Sequence, residues 1–244
     1  MNETIQNRII ELFPKEKNAI LNLFDMDKID KFYNFLLTYK DIGGFFSKSN
    51  EDLIIDRHLI ESIYHIYKIH GVLNVSRETE IADVGTGPGL PGFLFACLKE
   101  TPKLVALIDS QKKKLQLLEE YIPNHYTDLK VKFYYQRVEE IKGSYDIVVS
   151  RSSVPYPWTT EIVFNLVKKN GFFVPFLAKK NYDLALESKI IKESGMSISS
   201  EIELKELNFL GERHIKFLKK INKPKHSVPR KWKIIKGEID EKKG

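Results

Sequence analysis

Ile81-Ala82-Asp83-Val84-Gly85-Thr86-Gly87-Pro88-Gly89-Leu90-Pro91-Gly92 is the stretch whose reading decides the fold. An apolar lead-in meets an acidic residue, glycines follow at every second position, and an apolar run extends from Leu90 to Leu98. The pattern predicts a buried strand, a tight loop and a helix start. Glycine is needed there because the backbone takes positive φ angles and a ligand approaches with no Cβ in the way, while a helix N-terminus offers free N–H groups. The loop reads as a cradle for a nucleotide-like ligand.

The dinucleotide fingerprint also uses glycines, but spaced Gly-x-Gly-x-x-Gly and aimed at a pyrophosphate. The spacing here is Gly-x-Gly-x-Gly, and Asp83 sets a carboxylate at the mouth of the cradle, which suits a cationic group better than a doubly anionic one. This resembles motif I of the class I S-adenosylmethionine methyltransferases. Asp109 closes the apolar run Leu104-Val105-Ala106-Leu107-Ile108, where a carboxylate at a second strand end can accept both ribose hydroxyls. Alone, each acid reads as a helix-entry residue; together in this frame they favour a cofactor site.

The chain has 244 residues, 42% of them apolar, enough for one α/β domain plus a helical appendage. No run of eighteen apolar residues occurs and Met1-Asn2-Glu3-Thr4 lacks a charged and apolar leader, so a cytoplasmic protein that makes no use of a membrane is expected. Cys97 is the single cysteine, which excludes a disulfide within the chain, leaves too few ligands for a Cys/His zinc cluster, and suits a small core residue. The net charge of +6 points toward a polyanion such as RNA.

Helical spacing marks Asn7 to Phe13, Ala19 to Phe24 and Ile29 to Tyr39, and a further helix from Asn50 to about Ile69, capped by Ser49 or Asn50. In that last helix Arg57 and His58 point about 100° apart. A solvated arginine and a core-edge histidine are the plainer reading of the pair. After Asp109, Ser110 is expected to cap a helix that begins with Lys112, Lys113 and Lys114; cations there oppose the macrodipole and hint at an anionic partner, although a solvated face explains them as well. Strands at Val131 to Tyr135, Tyr145 to Ser150 and Phe172 to Leu177 alternate with helices at Tyr156 to Lys168 and Leu184 to Glu193, which argues for βαβ crossovers and a parallel sheet with its ligand beyond the strands' carboxyl ends. A hairpin from Ile198 to Leu207 and Glu212 to Leu218 would finish the sheet antiparallel. From Lys219 the chain is basic, with Arg230 and Lys231 beside Trp232, and reads either as an extended arm that contacts phosphates and stacks an aromatic or as a solubilising tail.

The glycine stretch, Arg57-His58-Leu59-Ile60-Glu61-Ser62, Asp109-Ser110 with Lys113-Lys114, Arg137-Val138-Glu139-Glu140, Ser150-Arg151 and Gly211-Glu212-Arg213-His214 together resemble the RsmG (GidB) family of bacterial 16S ribosomal RNA guanine N7-methyltransferases over roughly residues 20 to 220. The resemblance implies a class I, Rossmann-like fold: a mainly parallel seven-stranded sheet ending in an antiparallel hairpin, with a helical extension over residues 1–70, the methyltransferase domain over 71–220 and a basic tail over 221–244. It implies S-adenosylmethionine as cofactor, contacted by Asp83, Gly85, Gly87, Gly89, Leu90, Asp109, Val138, Glu139 and Arg151. It further implies a monomer acting on 16S rRNA or the small subunit, with no metal, in which Arg57, His58, Lys113, Lys114, Arg230 and Lys231 face RNA and Arg137 and Arg213 position the guanine. The chain departs from the family where an Asn-Leu-Thr turn reads Gly43-Gly44-Phe45-Phe46, where Ser-Arg-Ala reads Ser150-Arg151-Ser152, and in a tail that keeps only Pro229-Arg230-Lys231 of the family's basic ending. A methyltransferase for another acceptor, and a non-catalytic RNA-binding module on the same fold, are the alternatives. A dehydrogenase is a distant third.

Overall fold

The computed structural model describes residues 3–46, 54–127, 129–151, 154–178 and 182–242. Three helices open the chain, α1 (Glu3–Leu12), α2 (Lys17–Leu23) and α3 (Met26–Gly43). Ile29, Phe32, Tyr33 and Leu36 recur at helical spacing in α3, and all four are buried. Asp25 caps α3 by accepting the Lys28 N–H, and Gly44 ends it at φ 57°, a left-handed value that costs glycine nothing. The helix expected from Asn50 starts as a π-helical stretch, Ile55–Ile60, and continues as α4 (Glu61–Leu73). Its expected caps, Ser49 and Asn50, lie outside the described residues.

The sheet comprises β1 (Glu80–Val84), β2 (Leu104–Ile108), β3 (Val131–Tyr134), β4 (Tyr145–Ser150), β5 (Val167–Leu177), β6 (Met196–Glu203) and β7 (His214–Lys220). Among the described residues its order is β3-β2-β1-β4-β5-β7-β6, parallel from β3 to β5 and antiparallel through β7 and β6. Between these strands lie α5 (Gly92–Ala96), α6 (Lys112–His125), α7 (Trp158–Val163) and α8 (Leu184–Glu193). β1 is the first strand and sits in the middle, so the chain runs outward to β3 and then crosses back to β4. Its loop therefore opens at the switch point, where ligands of such sheets bind.

Four local expectations are corrected. The helix after the glycines spans only Gly92–Ala96. The helix expected to reach Lys168 ends at Val163, because Val167 is fully buried and Lys168 binds Glu80 and Asp146, drawing that segment into β5. The strand expected to reach Leu207 ends at Glu203; Leu204 and Leu207, three residues apart and both buried, turn it into a 3-10 helix over Lys205–Leu210. The basic tail carries a helix, α9 (Trp232–Glu241), docked through Ile235 and Ile239 on Trp158, Ile162 and Ile190.

The N-terminal helices share one core with a face of the sheet: Ile5, Phe24, Phe32 and Phe35 belong to the same buried cluster as Phe93, Leu107, Val149 and Phe217. Phe32 packs against Phe93 at 4.7 Å between ring centroids. Ala82, Ala106, Val148 and Phe173 cover the opposite face. Phe32→Ala should cost about 3–5 kcal/mol and lower the melting midpoint by roughly 10 °C while leaving a single transition in calorimetry. Separate melting of the helices would contradict the shared core.

Candidate active site

The loop after β1 is built as its spacing demands. Gly85, Gly87 and Gly89 have φ values of 75°, 57° and 106°, and the Gly85 and Thr86 N–H groups donate to the Ile108 carbonyl, tying the loop to the end of β2. A Cβ on Gly87 would meet nothing within 4 Å, so this glycine faces open space. One on Gly89 would stand 2.5 Å from Leu118 Cδ2. Gly89, at a left-handed φ, thus packs against α6, and Gly89 and Leu90 are both buried and absent from the lining of the cleft.

Asp83 is not at the mouth. It is fully buried, and its Oδ2 accepts the Gly92 N–H at 2.7 Å, where α5 begins. Its Oδ1 has no hydrogen-bond partner, nor does the buried Thr86 hydroxyl. Burial pushes the Asp83 carboxyl up to about 6; Thr86 and the Gly92 N–H ease that shift, Thr86 without completing a hydrogen bond. Asp109 is half-buried and braced by the loop: Gly87 N–H donates to Oδ2 at 2.8 Å and Gln111 N–H to Oδ1 at 2.7 Å. Ser110 does not cap α6 as expected: the helix begins at Lys112 after Gln111, with no side-chain cap.

A cleft of about 470 Å³ opens over these groups. Gly85, Gly87 and Asp109 form one side, and Arg137, Val138 and Glu139 the other, with Val154 and Ile162 as apolar wall. Arg137 lies 3.8 Å from Glu139 and is largely exposed. Sequence reasoning missed Trp232 and Lys114 as lining residues; Lys114 was expected to face RNA. Lys113, one residue earlier, is exposed on the outer face of α6. A flexible methyl donor fits this arrangement on two counts: an open glycine edge, and a buried carboxylate oxygen left without a partner.

A second cavity, of about 340 Å³, adjoins the ends of β4 and β5 and shares Val154 with the first. Tyr156, Tyr182, Phe176 and Pro155 line it. Behind the tyrosines lies a buried ion pair, Lys216 with Glu187, and Tyr156 donates its hydroxyl to the same carboxylate. An inward lysine in the apolar strand Ile215-Lys216-Phe217 was the signal for this polar floor.

An arginine cluster stands beside the loop. The Arg151 guanidinium donates to the Arg57 carbonyl at 3.3 Å, and Arg213 is ion-paired with the buried Glu61. Burial lowers the Arg151 pKa, while Glu61 and Asp83 raise it. Arg57 is exposed. His58 packs against Phe46 at 4.4 Å between ring centroids, and burial, helped by Arg151 and Arg57, drops its pKa to about 3. Two expected RNA contacts fare differently from each other. Arg230 is committed within the protein to Glu161 and Glu238, whereas Lys231 is exposed at the start of α9. Ser152 lies outside the described residues. Among the described residues no three His, Cys, Asp or Glu side chains are grouped to hold a metal, and no helix is long and apolar enough to cross a membrane.

Comparison with known proteins places this geometry. The family model described as rRNA small subunit methyltransferase G, GidB, matches residues 25–215. A ribosomal RNA small subunit methyltransferase G from Leptospira borgpetersenii is 48% identical over 237 residues, covering 97% of this chain and 92% of the relative. One from Leptospira biflexa is 44% identical, covering 100% and 98%. In fold, the chain is similar to the magnesium protoporphyrin IX methyltransferase of Synechocystis, solved with bound SAM, at a TM-score of 0.57 and 17% identity over 78% of this chain and 97% of that one.

The Asp83 shift carries a signed consequence. The folded state holds this proton more tightly than the unfolded chain, whose carboxyl titrates near ~3.9, so the group's contribution is fully present below that pH and is lost as pH rises through about 6. The loss is on the order of 3 kcal/mol. Between pH 4.5 and 7.5 the urea midpoint of the wild type should therefore fall further than that of Asp83→Asn. Equal falls would contradict a buried, titrating Asp83.

Proposed function

Since the chain belongs to the rRNA small subunit methyltransferase G (GidB) family, we propose that it transfers a methyl group from S-adenosylmethionine to N7 of a guanosine in 16S ribosomal RNA. The observation that carries this reading is the cleft itself: an open glycine edge at Gly87, a carboxylate at the end of β2, and a second acid, Glu139, across from it. When bound, S-adenosylmethionine supplies a methyl group activated on a cationic sulfur.

The protein's own residues then have a limited task. N7 of guanine carries a lone pair and no proton, so no general base is needed, unlike an amine or hydroxyl acceptor. What remains is alignment at attack distance, which rigid elements supply. Asp109 and Glu139 hold the donor, and the buried Asp83 sets the loop's shape and adds a negative charge beneath it. The tyrosine-lined cavity beyond Val154 suits a planar purine, and Arg137, which lines the adjoining cleft, is the arginine to meet its O6. Arg213 is held by Glu61 and so positions this face, whereas the exposed Arg57 and Lys113 suit phosphates. The acceptor as part of the small subunit, and the monomeric state, belong to this proposal too.

Incubating the protein with labelled S-adenosylmethionine and small subunits from a strain lacking the enzyme should yield one N7-methylguanosine in 16S rRNA. Tight RNA binding without transfer would favour the non-catalytic alternative, and a mark on another atom the other-acceptor one. Arg57→Ala should weaken RNA binding and flatten its logarithmic salt dependence by about one ion, with donor affinity unchanged. Equal loss of both would contradict this division of roles.

A further inference from the structure

We infer that Trp232 belongs to the methyl-donor site, as the aromatic wall against which the donor's purine ring stacks, and that the C-terminal segment from Val228 to Lys242 is a fixed part of that site. This rests on the reading that the cleft takes S-adenosylmethionine. Trp232 lines the cleft together with Val138, Val154 and Ile162. It is the first residue of α9 and remains 38% exposed, although Ile235 and Ile239 of the same helix are 1% and 5% exposed. The helix is thus anchored by its isoleucines while its indole is left at the cleft, where a flat, apolar partner gains most.

The anchoring is specific. Glu161 on α7 is 3% exposed, and a carboxylate buried to that degree needs a cation. Arg230 supplies it, donating Nε to both carboxylate oxygens at 2.9 and 3.0 Å, while its Nη2 donates to Glu238 of α9 at 3.1 Å. Trp158 Nε1 donates to the other face of the same clamp, at Glu238 Oε2, 2.9 Å away. The Asn165 side chain holds the Val228 carbonyl at 2.9 Å, and Lys242 pairs with Asp183 at 2.9 Å. The segment is fastened at both ends and in the middle, and Trp232 lies between the fastenings. With Val138, Val154 and Ile162, Trp232 gives the cleft an apolar wall, which suits a base better than a ribose or an amino acid.

The test uses the full chain and S-adenosylhomocysteine, without RNA. Of the two tryptophans, Trp158 is buried and Trp232 is at the cleft, so ligand binding should quench indole fluorescence in the wild type. The quench should disappear in Trp232→Phe, which keeps affinity within a few-fold. Trp232→Ala should weaken binding in calorimetry by about tenfold or more, with an unchanged circular dichroism spectrum. Arg230→Met should weaken it similarly by releasing the helix, and the indole quench should shrink with it. Wild-type affinity in Trp232→Ala would overturn the inference. Failure of the wild type to bind the ligand at all would instead overturn the underlying reading of the cleft, and this inference with it.

Discussion

The hydrogen bond from the Gly92 N–H to the buried Asp83 carboxylate fixes the rest of the site. It joins the end of the central strand to the first turn of α5 and so sets the path of the intervening glycine loop. Gly92 can be nothing larger, since a Cβ there would lie 2.5 Å from both Asp83 Cβ and Leu107 Cδ2. Burying a carboxylate with one oxygen unpaired is costly, and the raised Asp83 pKa expresses that cost. Sites tuned for a ligand commonly carry such strain, which a cationic partner would relieve.

The shared core explains why this chain's helices and sheet act on one substrate. α4 packs directly on the sheet, His65 stacking on Phe176 of β5 at 4.2 Å, while α3 packs on α5 through Phe32 and Phe93. The π-helical stretch that carries Arg57 and His58 is thereby held beside Arg151 and Arg213. The acids that line the cleft and the arginines beside the glycine loop come from elements far apart in sequence, but a single hydrophobic cluster ties those elements together.

Much of this was legible because local chemistry and global fold agree at the glycine loop, where positive φ values leave few alternatives to glycine. The parallel strands, the helix over Leu184–Glu193 and the antiparallel finish likewise follow from hydrophobic period and turn residues. What the sequence hid depends on long-range pairing. Asp83 reads as exposed and is buried because β1 is covered on both faces. The lysines around Trp232 mask the Trp232, Ile235, Ile239 spacing of a docked helix, and the partner that gives Arg230 its role, Glu161, lies 69 positions away. Arg213 reads as a residue that positions the guanine, and its ion pair with Glu61, far up the chain, could not be seen in the sequence.

The account stands on a cleft shaped by a buried carboxylate for a positively charged donor. Calorimetric titration of wild type and Asp83→Ala with S-adenosylmethionine, and of wild type with NAD, tests this most directly. The prediction is micromolar binding of S-adenosylmethionine by the wild type, its loss in Asp83→Ala, and no binding of NAD. Unchanged affinity in the variant, or a preference of the wild type for the pyrophosphate compound, would contradict it.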